Sequence, residues 1–242
     1  LEMPEEDFEE YRIRQVPHGT VHYEYYKSNS TGRTKLCYVY TPAGYEEHLE
    51  KRYPVLYLQH GGGENEVGWI WQGKLANIAD NLIAKGQMKE MIVVMNTGYA
   101  FPENGEYHHS MSAFLQELPE SCVPYIDSRY RTIADKDYRA LAGLSMGGIH
   151  TLNVGIPNLN YFAYLGVFSS GWWANPTPFG GDNDTERYYK MLQDKKEDYN
   201  TKLKQFWISM GGKEDIAYNN CQIMMKRFDQ IGIKYTYYET CL

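Results

Sequence analysis

The sequence predicts an α/β fold with a mostly parallel central sheet, helices on both faces and an antiparallel hairpin at its N-terminal end. Three observations carry that expectation. Short, nearly continuous apolar runs recur along the 242 residues, as strands buried on both faces require. Helix-like stretches separate the runs, with connections long enough to cross between parallel strands. No internal repeat or low-complexity linker breaks the pattern, and the length suits a single core, so residues 1–242 read as one domain.

In chain order, residues 20–27 and 34–41 alternate apolar and polar side chains about the turn-like Ser28-Asn29-Ser30-Thr31-Gly32, which predicts the hairpin. Apolar runs at 54–58, 91–96, 138–142, 163–168 and 205–210 predict the parallel strands. Helical patterning predicts helices over about 75–85, 111–130, 147–155, 185–194 and 217–231. The Gly/Pro/Asn-rich segment 171–184 predicts a long surface loop.

The net charge of -7, with Lys and Arg scattered rather than striped, argues against nucleic acid or an anionic membrane as partner. Runs such as Met91-Ile92-Val93-Val94-Met95 are strand-length, well short of the roughly 18 residues a spanning helix needs. Four cysteines, at 37, 122, 221 and 241, show no C-x-x-C spacing and no histidine cluster, so no metal site is expected. They read as buried thiols, with a Cys221–Cys241 bridge as the alternative in an oxidising compartment.

The chemistry is announced by Gly143-Leu144-Ser145-Met146-Gly147, which follows the predicted strand 138–142 and precedes a helix. Small residues on both sides of a serine at a strand-to-helix junction make a nucleophile elbow, a strained turn that lifts the hydroxyl clear of the sheet. A chance match to so short a pattern is the bland alternative. A second glycine cluster, His60-Gly61-Gly62-Gly63, follows strand 54–58 at the same predicted sheet edge. There, backbone N–H groups can approach a developing oxyanion with no Cβ in the way, joined by the N–H of Met146. Alone, that cluster would read as a tight turn. After strand 205–210, Gly211-Gly212-Lys213-Glu214-Asp215 offers Asp215 as the orienting acid or as a helix N-cap, with Glu214 the weaker choice.

Together with Val39-Tyr40-Thr41-Pro42-Ala43-Gly44-Tyr45, the run Tyr53 to Gly63 and Met91 to Met95, these motifs resemble carbohydrate esterase family 1, the feruloyl and acetyl xylan esterases. The resemblance implies an α/β-hydrolase fold, a Ser-Asp-His triad in that chain order, and hydrolysis of hydroxycinnamoyl or acetyl esters of plant cell-wall xylan without a cofactor. It makes Ser145 the nucleophile, Asp215 the acid, and the amides of Gly61, Gly62 and Met146 the oxyanion hole. The substrate class implies a secreted or periplasmic protein.

The histidine is the departure. The family's base sits in a loop after the last strand, and no histidine follows Asp215 in this sequence. A serine without an adjacent base is a poor nucleophile. The expectation is therefore an enzyme impaired for want of the C-terminal histidine loop and last helix, and the competing reading is a weak or inactive carbohydrate-binding module on the same fold. His108 and His109, in a long loop at the catalytic edge, are the remaining candidates for a base, and His150 is expected to point away. Among the tryptophans at 69, 71, 172 and 173, Trp69 and Trp172 are picked to line the acyl or sugar subsites, against core packing as the ordinary fate of tryptophan.

Overall fold

The computed structural model describes residues 9–101, 111–172 and 185–240. Eight strands form one sheet in the order β1-β2-β4-β3-β5-β6-β7-β8. The hairpin is β1 (Thr20–Lys27) against β2 (Thr34–Thr41), in the expected register span. β2 runs antiparallel to β4 (Ile92–Asn96). All later pairings are parallel, through β3 (Val55–Gln59), β5 (Arg139–Leu144), β6 (Tyr164–Phe168), β7 (Gln205–Met210) and β8 (Thr236–Glu239). The chain has the α/β-hydrolase fold, as the sequence predicts.

The helices are unequally shared between the faces. On one face α1 (Gly68–Trp71) and α2 (Leu75–Ala84) cover Tyr40, Leu58, Val93 and Met95. Farther along it Trp207 stacks on Tyr238, which stays 53% exposed, so no described helix closes that end. The larger core, built on Tyr57, Leu141, Leu165 and Ile208, receives the remaining helices. These include α5 (Met146–Gly155), α6 (Thr185–Asp194), α7 (Lys196–Lys202) and α8 (Tyr218–Ile231).

The helix expected over 111–130 is divided. α3 (Met111–Glu117) and α4 (Val123–Arg129) flank a π-helical turn, Leu118–Cys122. Pro119 is the cause: it offers no N–H and its ring crowds the carbonyl of the preceding turn, so the helix widens there. The turn leaves Glu117 fully buried at its start. The helices α1 and α7 and the strand β8 escape the sequence reading altogether.

Cys37, Cys122 and Cys221 are buried free thiols, and burial pushes Cys37 and Cys221 up to about 12. Cys221 is thus not bridged, and Cys241 lies outside the described residues, as does most of the loop expected at 171–184. Among the described residues no helix is long and apolar enough to cross a membrane.

Candidate active site

Ser145 joins β5 to α5 at φ 52° and ψ -111°. A non-glycine residue in that region costs about 1–3 kcal/mol and persists only where its surroundings over-determine it. Here they do. The Ser145 N–H donates to Phe168 O at 2.9 Å, extending the β5–β6 ladder by one residue. Its carbonyl accepts from Gly148 N at 2.9 Å, Ile149 N at 3.2 Å and the Ser170 hydroxyl at 2.6 Å.

The neighbouring glycines are dictated by packing. A Cβ on Gly143 would lie 2.4 Å from the Gly147 backbone, one on Gly147 2.5 Å from Gln59 O, and one on Gly148 2.4 Å from the Ser170 Cβ. Helix α5 can therefore start directly against the ends of β3 and β5 only with glycine at these positions. Ser145 itself is half-buried, open enough to meet a ligand.

The loop after β3 is pinned from several sides. His60 is buried; its Nε2 accepts from Gly98 N at 2.9 Å, which leaves the proton on Nδ1 to donate to Gly61 O at 2.8 Å. The Gly63 amide donates to the Tyr99 hydroxyl at 2.8 Å, and the Gly61 amide to Glu64 Oε2 at 2.8 Å. This corrects the expectation for Gly61: its N–H is committed to a carboxylate and is not available to an oxyanion.

The exposed Gly62 amide finds no acceptor among the described residues, and the Met146 amide, first in α5, belongs to the helix turn whose N–H groups have no intrahelical acceptor. A Cβ on Gly62 would lie 3.9 Å from the Met146 Cβ, so these two peptide units stand side by side next to Ser145. Two unspent N–H groups, that of Met146 at a helix N-terminus, favour negative charge.

Asp215 lies in the loop after β7, one strand removed from β5 along the same sheet edge as Ser145. Its Oδ1 accepts from Ala217 N at 2.8 Å and its carbonyl from Tyr218 N at 3.0 Å, which turns the chain into α8; the N-cap itself is Ala217, with no side-chain cap bond, so the capping alternative for Asp215 is corrected. It remains half-buried, whereas Glu214 is exposed. A turn bond through one oxygen leaves the other as an acceptor for an imidazole.

The described histidines are engaged elsewhere. Burial lowers the pKa of His60, whose two nitrogens are both bonded within the loop. His150 is stacked on Phe114 at 4.3 Å, so it points away as expected, and burial pushes its pKa down to about 3, which keeps the ring uncharged at neutral pH. His18 bonds Asp80 at 2.8 Å and His22 bonds Thr41 at 2.8 Å, while His48 is an exposed residue in the segment after β2, toward the opposite sheet edge. His108 and His109 lie outside the described residues. Among the described residues no three His, Cys, Asp or Glu side chains gather to hold a metal ion.

The tryptophans divide. Trp172 is only 4% exposed, stacks on Tyr188 at 5.4 Å and donates its indole N–H to Asn153 Oδ1 at 2.7 Å. This corrects the substrate-lining expectation, since no face of the ring is left for a ligand. Trp172→Ala is expected to lower unfolding free energy by about 3–5 kcal/mol in urea titration, with KM for aryl esters unchanged in the folded fraction. Trp69 donates to Gln59 O at 2.9 Å and is half-buried beside the glycine loop, so it keeps surface at the site. Trp173 lies outside the described residues.

Sequence reasoning missed Ser170, Glu64 and Tyr99, each of which fixes backbone at the site. For Ser170 there was a signal: Ser169-Ser170-Gly171 follows β6 at the elbow's own edge.

The model of a family described as putative esterase matches residues 28–231. An endo-1,4-beta-xylanase/feruloyl esterase of Xylanibacter ruminicola is 41% identical over 179 residues, 71% of this chain and 24% of that protein. Endo-1,4-beta-xylanase Y of Acetivibrio thermocellus is 32% identical over 202 residues, 77% of this chain and 17% of that protein. The chain thus spans a quarter or less of the length of these two relatives. Among solved structures, a serine-to-alanine mutant of the feruloyl esterase module from Clostridium thermocellum, complexed with sinapinate, superposes with a TM-score of 0.76 at 25% identity. That match covers 96% of this chain and 85% of the module.

Proposed function

The chain belongs to the putative esterase family, and from that premise we propose that it hydrolyses hydroxycinnamoyl or acetyl esters of plant cell-wall xylan through an acyl-enzyme on Ser145. The observation that carries this reading is the elbow itself, a strained serine beside the unspent amides of Gly62 and Met146. In the proposed reaction the Ser145 oxygen attacks the ester carbonyl, and its proton passes to a base. The carbonyl oxygen takes up negative charge and accepts from both amides. Collapse expels the sugar hydroxyl, and water then releases the acid by the same steps in reverse.

Each amide aimed at the oxyanion contributes about 3–4 kcal/mol to the transition state. Asp215 takes the part of the acid that orients an imidazole, a role compatible with its turn bond to Ala217. The base is the one group that the described histidines do not supply, since His60 and His150 are neutral, buried and already placed. Residues 1–242 act as one esterase domain, and the polymeric substrate puts its work in a secreted or periplasmic setting.

Feruloyl esterase appears in the name of the 41% identical relative, and a sinapinate complex in that of the superposable module, which favours a hydroxycinnamoyl over an acetyl group. Initial rates on methyl ferulate and nitrophenyl acetate test the choice. The expected result is a higher kcat/KM for the ferulate once the better leaving group of the nitrophenyl ester is corrected with nitrophenyl ferulate. Preference for acetyl on matched leaving groups would reverse the assignment. Saccharide binding with no turnover of either ester would instead support the binding-module reading.

A further inference from the structure

We propose that the buried ion pair Lys35–Glu117 is a positioning element for the oxyanion-binding amide of Gly62, acting through the turn at residues 97–99. The inference rests on the reading of Ser145 and Gly62 given above.

Lys35 on β2 is 7% exposed and Glu117 at the end of α3 is fully buried, with 3.6 Å between Nζ and Oε2. Tyr26, the register partner of Lys35 across the hairpin, donates its hydroxyl to the other oxygen of Glu117. Burial raises the Glu117 carboxyl above its ordinary range, and Lys35 and Tyr26 oppose that rise.

The ammonium does more than neutralise the carboxylate. It donates to the carbonyls of Thr97 at 3.1 Å and Tyr99 at 3.0 Å, gripping the turn that follows β4 on both sides of Gly98. That turn in turn grips the glycine loop twice. The Gly98 amide holds His60 Nε2, which fixes the tautomer whose Nδ1–H holds Gly61 O. The Tyr99 hydroxyl holds the Gly63 amide.

Across a trans peptide the C=O and the next N–H point in opposite directions. Fixing Gly61 O toward His60 therefore fixes the Gly62 N–H on the other side of the same plane, the side left without an acceptor. Each bond from Lys35 to that plane is 3.1 Å or shorter.

Stability alone gives a weak reason for such a pair, because replacing a buried ion pair by apolar or neutral groups of similar size is often neutral or stabilising. A positioning role predicts a different signature. The test is the double variant Lys35→Met/Glu117→Gln, which removes both charges and keeps an acceptor for Tyr26. Readouts are the melting temperature, kcat and KM on an aryl ester, and the inhibition constant of an aryl trifluoromethyl ketone. In that adduct the Ser145 oxygen bonds the ketone carbon, the hydroxyl proton is lost to solvent, and the former carbonyl oxygen carries the charge that Gly62 would meet.

Removing an oxyanion donor outright costs about 10²–10³ in kcat, and a misaimed donor is expected to cost about 10- to 100-fold. The inhibition constant should rise by a similar factor, with KM within about threefold and the melting temperature retained. Wild-type kcat and ketone affinity in a folded double variant would overturn the proposal, as would a change confined to KM. Should the double variant fail to fold, Tyr99→Phe keeps the ion pair and cuts the link to Gly63; a fall in kcat and ketone affinity supports the relay, and wild-type values overturn it. If the ketone binds the unaltered protein and Ser145→Ala equally, the reading of Ser145 itself fails and takes this inference with it.

Discussion

Ser145→Ala is expected to eliminate acylation of the protein by aryl esters and, in a chain supplied with a histidine base, to lower kcat by about 10⁶, the order of loss seen when a serine nucleophile is removed. The fold should not suffer. Alanine keeps the Cβ, and hence the strain at φ 52°, while the backbone bonds of residue 145 to Phe168, Gly148, Ile149 and Ser170 do not involve the lost hydroxyl. Ser145→Gly makes the complementary point. It removes the same hydroxyl and relieves the strained Cβ, so activity should vanish while unfolding free energy rises by about 1 kcal/mol, less what glycine returns to the unfolded chain. A site that holds strain at its nucleophile predicts this pairing of lost activity with gained stability. Parallel stability loss in both variants would mean that the hydroxyl is structural.

The second large effect concerns the base. With Ser145 and Asp215 on one sheet edge and none of the described histidines placed beside them, the polypeptide 1–242 by itself is expected to acylate slowly. Extending the chain behind β8 with a histidine-bearing segment of a feruloyl esterase relative should raise ester hydrolysis by several orders of magnitude, since a missing triad histidine costs about 10⁶ in the best-measured case. The geometry favours that position, because β8 pairs with β7 and ends opposite Met210, five residues before Asp215. The gain should follow a group titrating near neutral pH and disappear when the added histidine is replaced by alanine. Equal rates with and without the segment would mean that a residue already present, with His108 and His109 the remaining choices, serves as base; His108→Ala and His109→Ala would then abolish the rate.

Much of this was legible in the sequence where one local rule dominates. The hairpin alternates with period two about a turn, so its strands are found at 20–27 and 34–41 without error. The elbow is legible because glycines at 143 and 147 are demanded by contacts with backbone, which no other residue can make.

What was not legible depended on contacts distant in sequence. β8 is four residues, alternately half-buried and exposed, too short for periodicity to register. α7 is mostly charged and buries Tyr199 alone, so it carries no apolar stripe. Trp172 follows a strand at the catalytic edge, as a substrate-lining ring would, and only the packing of α6 and α8 against it makes it core. The bond from Glu64 that removes the Gly61 amide from the oxyanion site, and the reach of Lys35 to the turn at 97–99, are visible only in three dimensions.

The most direct test is to treat the protein with a fluorophosphonate ester, which phosphonylates an activated serine with loss of fluoride, and to map the adduct by peptide mass. The account predicts a single labelled position, Ser145, modified slowly in residues 1–242 and faster once the histidine-bearing segment is added, and blocked by prior incubation with the aryl trifluoromethyl ketone. No adduct on Ser145 under conditions that label a control serine esterase, or labelling spread over other serines, would contradict it.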